Sequence, residues 1–150
     1  MSISLFLDSS ALFSGIASTA GAARALLLLA ETGHITLVIS EQVVSETERA
    51  IARKIPEALE DFRKAILASN TQIVLDPSRS EVEAIQDLIS HAADGPIVLS
   101  AMKADVDYLV TLNRRHFIDD PGVAERSGLR IGTPGDALRW VRERISQEDR

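Results

Sequence analysis

Two hydrophobic periods alternate along this chain. Short β-branched or apolar runs bounded by polar residues occupy positions 3–7, 35–39, 72–75, 108–111 and, more weakly, 129–131, and they predict strands. Between them lie stretches of helical spacing. One covers 20–32 and stops at Gly33, a residue that reaches the left-handed conformation without strain. Another covers 41–54 behind Ser40 as N-cap, and Pro56 separates it from a charged amphipathic segment running to about Ser69. Ser78 or Ser80 can cap a helix reaching about His91, and Asp94 can cap the next, over 95–104. Thr133-Pro134 begins the last, with proline at the first helical position, where its missing N–H costs nothing. Strands separated by helices predict an α/β domain. Its central, mainly parallel sheet of four to five strands would be covered by helices on both faces and joined by right-handed crossovers.

Composition narrows the functional classes. A chain of 150 residues, 45% of them hydrophobic, predicts one domain with a single sizeable core. With no cysteine it has neither a disulfide framework, nor a thiolate metal site, nor a thiol nucleophile. Lys+Arg number 16 against 22 Asp+Glu, a net charge of −6, which argues against non-specific wrapping of long duplex DNA. A local basic patch could still hold a short nucleic acid. The longest apolar stretch, 25–30, falls well short of the ~20 residues that cross a bilayer, so no membrane span is expected. The start, Met-Ser-Ile-Ser-Leu-Phe-Leu-Asp, has no basic region and carries a carboxylate at Asp8, so a cytoplasmic protein without a signal peptide is expected. Neither G-x-G-x-x-G, nor G-x-x-x-x-G-K-[ST], nor Gly-x-Ser-x-Gly occurs, which disfavours nucleotide-binding folds and serine hydrolases. Asp8-Ser9-Ser10 begins like the Asp-x-Ser-x-Ser loop of metal-binding adhesion modules, but Leu12 stands where the second serine belongs.

In open α/β sheets, ligands sit beyond the carboxyl ends of the strands, and here the polar residues at those ends are mostly acids and amides. Asp8 ends the first strand, where it could also simply cap the next turn. On the helix over 41–54, Val43, Val44, Thr47, Ala50 and Ile51 form the apolar stripe, with Glu46 and Glu48 at its two edges. Periodicity does not choose between them. Asp94 opens an apolar helix that should be buried, and Asn113 follows the fourth strand. Asp8, Glu46, Asp94 and Asn113 come from separate segments that a parallel sheet would bring to one edge. Clustered carboxylates repel one another unless a cation sits between them, and Mg²⁺ or Mn²⁺ is the natural occupant. Such an ion orients a phosphodiester and lowers the pKa of an attacking water. Ser9, Ser10 and Thr111 flank this centre, while Arg114, Arg115 and Lys103 are candidates for RNA phosphates. Asp105 reads as a helix C-terminus and Asp107 as the opposite end of the sheet, both away from any metal. His34, His91 and His116 lack paired metal-ligand spacing, and the first two read as surface residues. Trp140 reads as core or dimer packing.

The ordered set Leu5-Phe6-Leu7-Asp8-Ser9-Ser10, Ser40 through Glu46, Asp94-Gly95-Pro96-Ile97-Val98-Leu99-Ser100-Ala101 and Tyr108-Leu109-Val110-Thr111-Leu112-Asn113-Arg114-Arg115-His116-Phe117 resembles the PIN domain family. Ile131-Gly132-Thr133-Pro134 resembles that family's last strand and helix start. The resemblance implies a metal-dependent ribonuclease like the VapC-type toxins of toxin–antitoxin pairs, dimeric and neutralised by a small antitoxin protein. It places the family's first three acids on Asp8, Glu46 and Asp94. Its usual fourth acid is here Asn113, which implies a single ion held by Asp8 and Asp94, with Glu46 as ligand or water-orienting base. Asp119 and Asp120 lie near enough in sequence to substitute, although a cap or turn before Pro121 suits them better. The competing expectation is a PIN-like domain without catalysis that binds RNA or a protein partner.

Overall fold

In the computed structural model, which describes residues 2–88 and 92–148, three apolar runs are buried residue after residue. They are β1 (Ser4–Leu7), β2 (Thr36–Ser40) and β4 (Tyr108–Val110). Consecutive burial requires cover on both faces, because neighbouring strand residues point to opposite sides. Helices supply that cover: α1 (Ser9–Ala17), α2 (Ala22–Glu31), α3 (Glu41–Lys54), α4 (Leu59–Ala68), α5 (Arg79–Ala84), α6 (Gly95–Lys103), α7 (Pro121–Ser127) and α8 (Pro134–Glu148). With β3 (Gln72–Val74) and β5 (Ile131–Gly132), the strands form one five-stranded, wholly parallel sheet in the order β3-β2-β1-β4-β5. Leu5 pairs with Leu37 on one side and with Tyr108 on the other. The chain therefore runs outward from β1 to β3, then returns to lay β4 against the free side of β1. That reversal opens a crevice between the carboxyl ends of β1 and β4, where open α/β sheets bind ligands.

The α/β class and parallel sheet agree with the sequence reading, and the differences are local. The turn expected after Asp8 is a helix, α1, whose buried residues Ala11, Leu12, Gly15 and Ile16 keep helical spacing. The fifth strand begins at Ile131, two residues later than its apolar run, since Leu129 N–H is taken by Ser127 Oγ at 3.3 Å in the close of the preceding helix. The helix expected from Ser78 ends at Ala84 and gives way to a 3₁₀ turn at Gln86–Leu88; its predicted end at His91, and the surface role read for that histidine, lie outside the described residues. Arg114–Ile118 forms a π turn, and α7 follows it, capped by Asp120 through Gly122 N–H at 3.1 Å and closed by Gly128 at φ +74°. Asp105 takes the expected left-handed conformation at φ +52°. Asp107 accepts from Ser4 N–H at 2.8 Å, at the opposite end of the sheet from the crevice. Among the described residues, no single helix is long and apolar enough to cross a membrane.

Candidate active site

Asp8 stands at the mouth of the crevice. Its N–H still belongs to the sheet, donating to Val110 O at 3.1 Å, while its side chain turns the chain into α1 by accepting from Ala11 N–H at 2.9 Å. Capping does not exhaust the carboxylate. Oδ1 also accepts from Ser10 Oγ at 2.6 Å, and Oδ2 accepts from the Thr111 hydroxyl at the end of β4. Only 6% of Asp8 is exposed. Burial pushes its carboxyl up; the bonds from Ser10, Thr111 and Ala11 pull it back, and the charge of Glu46 adds to the rise. An acid held this way is disfavoured as an anion and ringed by the donors an anion needs.

Glu46 reaches the same place from α3. Its Oε2 accepts from Ser9 Oγ at 3.0 Å and its Oε1 from Gln42 Nε2 at 2.6 Å, one turn earlier on the helix. Glu48 faces away and pairs with Arg63 of α4 at 3.0 Å. The geometry thus separates two glutamates that periodicity leaves equivalent.

Thr111 joins a second branch. Its fully buried Oγ1 accepts from Asn113 N–H at 2.9 Å, and Asn113 Oδ1 accepts from His116 N–H at 3.3 Å, capping the π turn. His116 Nδ1 lies 3.0 Å from Asp94 Oδ2, at the start of α6. A continuous chain of contacts therefore links Asp94, His116, Asn113, Thr111 and Asp8, and Ser9 ties the neighbouring Glu46 to α1. Asp8, Glu46, Ser9 and Thr111 are brought together directly; Asn113 joins through Thr111, and Asp94 only through His116. Asn113 spends its side-chain oxygen as a cap, a role that an asparagine after a strand fills well.

The basic candidates divide. Arg114 and Arg115 are exposed on the π turn directly after Asn113. Lys103 is not at the site, since it ends α6 roughly 13 Å along the helix axis from Asp94 and pairs with Glu81 of α5 at 2.7 Å. His34 is exposed and bonds to Thr32. Sequence reasoning did not reach Gln42, which orients Glu46, or His116 as the partner of Asp94. For Gln42 the signal was present, because it precedes Glu46 by one helical turn. For His116 there was none, since the contact crosses between elements remote in sequence.

The PIN domain family model matches residues 4–115, a span that holds every one of these acids and Asn113. The chain belongs to the PIN domain family. Solved structures agree on the fold. This PIN domain resembles PAE2754 from Pyrobaculum aerophilum, with a TM-score of 0.65 and 16% identity over 95% of this chain and 98% of that one. It also resembles VapBC2 from Rickettsia felis, solved bound to a DNA fragment from their promoter, with a TM-score of 0.57 and 20% identity over 87% and 98%. FitAcB from Neisseria gonorrhoeae gives 0.55 and 16% over 87% and 97%. No curated protein matches the chain. At these identities the likeness concerns the fold, and what the site does rests on its own chemistry.

PIN nucleases generally use divalent metals. Asp8 and Glu46 are hard oxygen donors close enough for the charge of Glu46 to raise the Asp8 carboxyl, a repulsion that a cation between them would relieve. Asp94 and Asn113 are turned toward His116, and among the described residues no three His, Asp or Glu side chains lie together closely enough to hold an ion.

Proposed function

We propose that this PIN domain is a metal-dependent endoribonuclease that hydrolyses RNA phosphodiester bonds, and the toxin member of a type II toxin–antitoxin pair. The observation that carries the reading is Asp8, a nearly buried carboxylate at the sheet's reversal point with Glu46 beside it. Capping α1 does not require a carboxylate so deeply buried with a second acid beside it, whereas phosphodiester hydrolysis uses such a pair. Bound Mg²⁺ or Mn²⁺ would supply positive charge against phosphate oxygens and a water of lowered pKa. Asp8 and Glu46 would hold it, with Asp94 available only by giving up His116. Glu46, steadied by Ser9 and Gln42, would orient the attacking water or take its proton, and Arg114 and Arg115 would meet phosphates at the rim. The VapC-type order of motifs and the fold shared with VapBC2 support the toxin assignment and, with it, an antitoxin partner, a homodimer and a cytoplasmic place of action.

The test is cleavage of a mixed single-stranded RNA pool by purified protein with Mg²⁺, with Mn²⁺ and with chelator, alongside Asp8→Asn to exclude contaminating nuclease. Cleavage that needs both metal and Asp8 is the expected result. A second reading, a PIN domain that binds RNA or a protein without cutting, is favoured by the neutral Asn113 and by the Asp94–His116 pair. Binding of RNA with no cleavage in either metal would establish it.

A further inference from the structure

Beside the acids opens a groove of about 720 Å³. One wall is α3, which presents Glu46, Arg49, Arg53 and Lys54; the other carries Phe13 of α1 and Leu112 beyond β4. Glu46, Arg49 and Arg53 are spaced i, i+3, i+7, so a single helix face places the acid nearest Asp8 and then two guanidiniums. Arg53 stands about 10 Å along the axis from Glu46. Arg49, Arg53 and Lys54 are all exposed.

Several exposed cations are matched within or between helices: Arg63 with Glu48, Lys64 with Glu60, Arg79 with Glu83 and Lys103 with Glu81. Arg49 and Arg53 have no carboxylate partner among the described residues. On a chain of net charge −6, unmatched arginines on one face are a local reversal of sign, directed at an anion. The opposite wall sets Phe13 and Leu112 beside Ser9 and Ser10. Lys54 Nζ lies 5.3 Å from the Phe13 ring centroid, and Leu112 is 46% exposed. A positive edge facing an aromatic and aliphatic edge is the pattern that holds a single strand, phosphates on one side and unpaired bases on the other.

We propose that this groove is a strand-tracking subsite, in which Arg49 and Arg53 hold phosphates of single-stranded RNA flanking the bond presented to Asp8 and Glu46, with a base laid against Phe13 and Leu112. The assignment deepens the nuclease reading and rests on it. It moves RNA contact from Lys103, at the far end of α6, to the exposed face of α3.

The experiment is fluorescence anisotropy of a short labelled single-stranded RNA, in chelator, across a salt series. It compares wild type, Arg49→Ala/Arg53→Ala, and Lys64→Ala as a control on an exposed lysine outside the groove. Each lost phosphate contact on a single strand lowers the slope of log K against log salt by about 0.7, so the double variant is expected to lose about 1.4 and the control nothing. A double variant that binds with unchanged affinity and slope overturns the proposal, as does a wild type that binds no RNA. A polyglutamate peptide whose binding falls in the double variant while RNA binding holds overturns it in favour of an acidic protein segment. The cleavage assay above is read independently: wild type that cuts RNA while the double variant binds unchanged sinks the groove and leaves the nuclease, and wild type that binds through the arginines but never cuts does the reverse.

Discussion

Thr111→Val isolates one contact at the centre of the site. The two side chains have nearly the same shape, so the change removes a hydroxyl from a fully buried position and little else. That hydroxyl donates to Asp8 Oδ2 and accepts from Asn113 N–H. A hydrogen bond to an ionised group is worth about 1.5–3 kcal/mol, and leaving a donor unpaired adds to that where water does not replace the partner. Asn113 is half-buried, which lets water take up part of the loss, so the expected cost is about 2–3 kcal/mol at neutral pH. Urea denaturation followed by circular dichroism measures it. Thr111→Ser keeps the hydroxyl, drops one methyl and should cost only about 1 kcal/mol. The same bond helps hold the Asp8 carboxyl down, so Thr111→Val also raises that group's pKa and should move the acid limb of RNA cleavage to higher pH. A valine variant within about 0.5 kcal/mol of wild type, with its acid limb unmoved, would refute the reasoning.

Asp8→Asn should abolish cleavage and gain stability relative to wild type as pH rises. Burial raises the folded-state pKa of Asp8, so the native protein holds this proton at pH values where the unfolded chain has lost it; this group's contribution to stability is present in acid and declines as pH rises through the raised value. Denaturation curves in which the variant weakens relative to wild type as pH rises would count against that sign. Glu46→Gln should remove most of the activity, whereas Glu48→Gln loses only an exposed pair with Arg63 and should cost less than about 1 kcal/mol without affecting cleavage. Equal activity losses in the two would undo the distinction drawn between them. Gly15→Ala should destabilise by about 1–3 kcal/mol, since its Cβ would lie 2.8 Å from Leu27 Cδ1 and 3.3 Å from Ala23 O where α1 meets α2. A melting temperature equal to wild type would show that Leu27 yields freely.

What could be read in advance was what local pattern encodes. The strands at the centre of the sheet are continuous apolar runs, and the caps of α3 and α8 are written in Ser40 and Thr133-Pro134. α1 was hidden because Ser9, Ser10 and Gly15 are poor helix formers, and it is held by the Asp8 cap and by packing between α2 and α3. The π turn and α7 were hidden by charge and by Pro121-Gly122, and depend on caps at Asn113, Asp120 and Gly128. Asp8 was legible because the end of a buried strand is itself an address in such a sheet. Helical periodicity did not separate Glu46 from Glu48, and only the family resemblance chose Glu46, because the difference lies in what faces each edge of α3: Ser9 on one side, Arg63 on the other. The Asp94–His116 contact and the groove beside Arg49 and Arg53 depend on pairing between elements, which no window of sequence contains.

Trp140, the lone tryptophan of the chain, stands at the opposite pole from the acids. Its ring lies 5.5 Å from that of Tyr108, where β4 begins, and two guanidiniums, Arg130 and Arg144, each sit 5.0 Å from its centre. It lines a hollow with Ile3 and Asp107, also at the strands' amino ends. Its emission therefore reports whether the sheet is assembled and is shielded from whatever enters the crevice. That makes the molecule its own internal standard: a substitution that silences the chemistry while leaving the tryptophan spectrum untouched has altered the site, and one that shifts both has altered the scaffold.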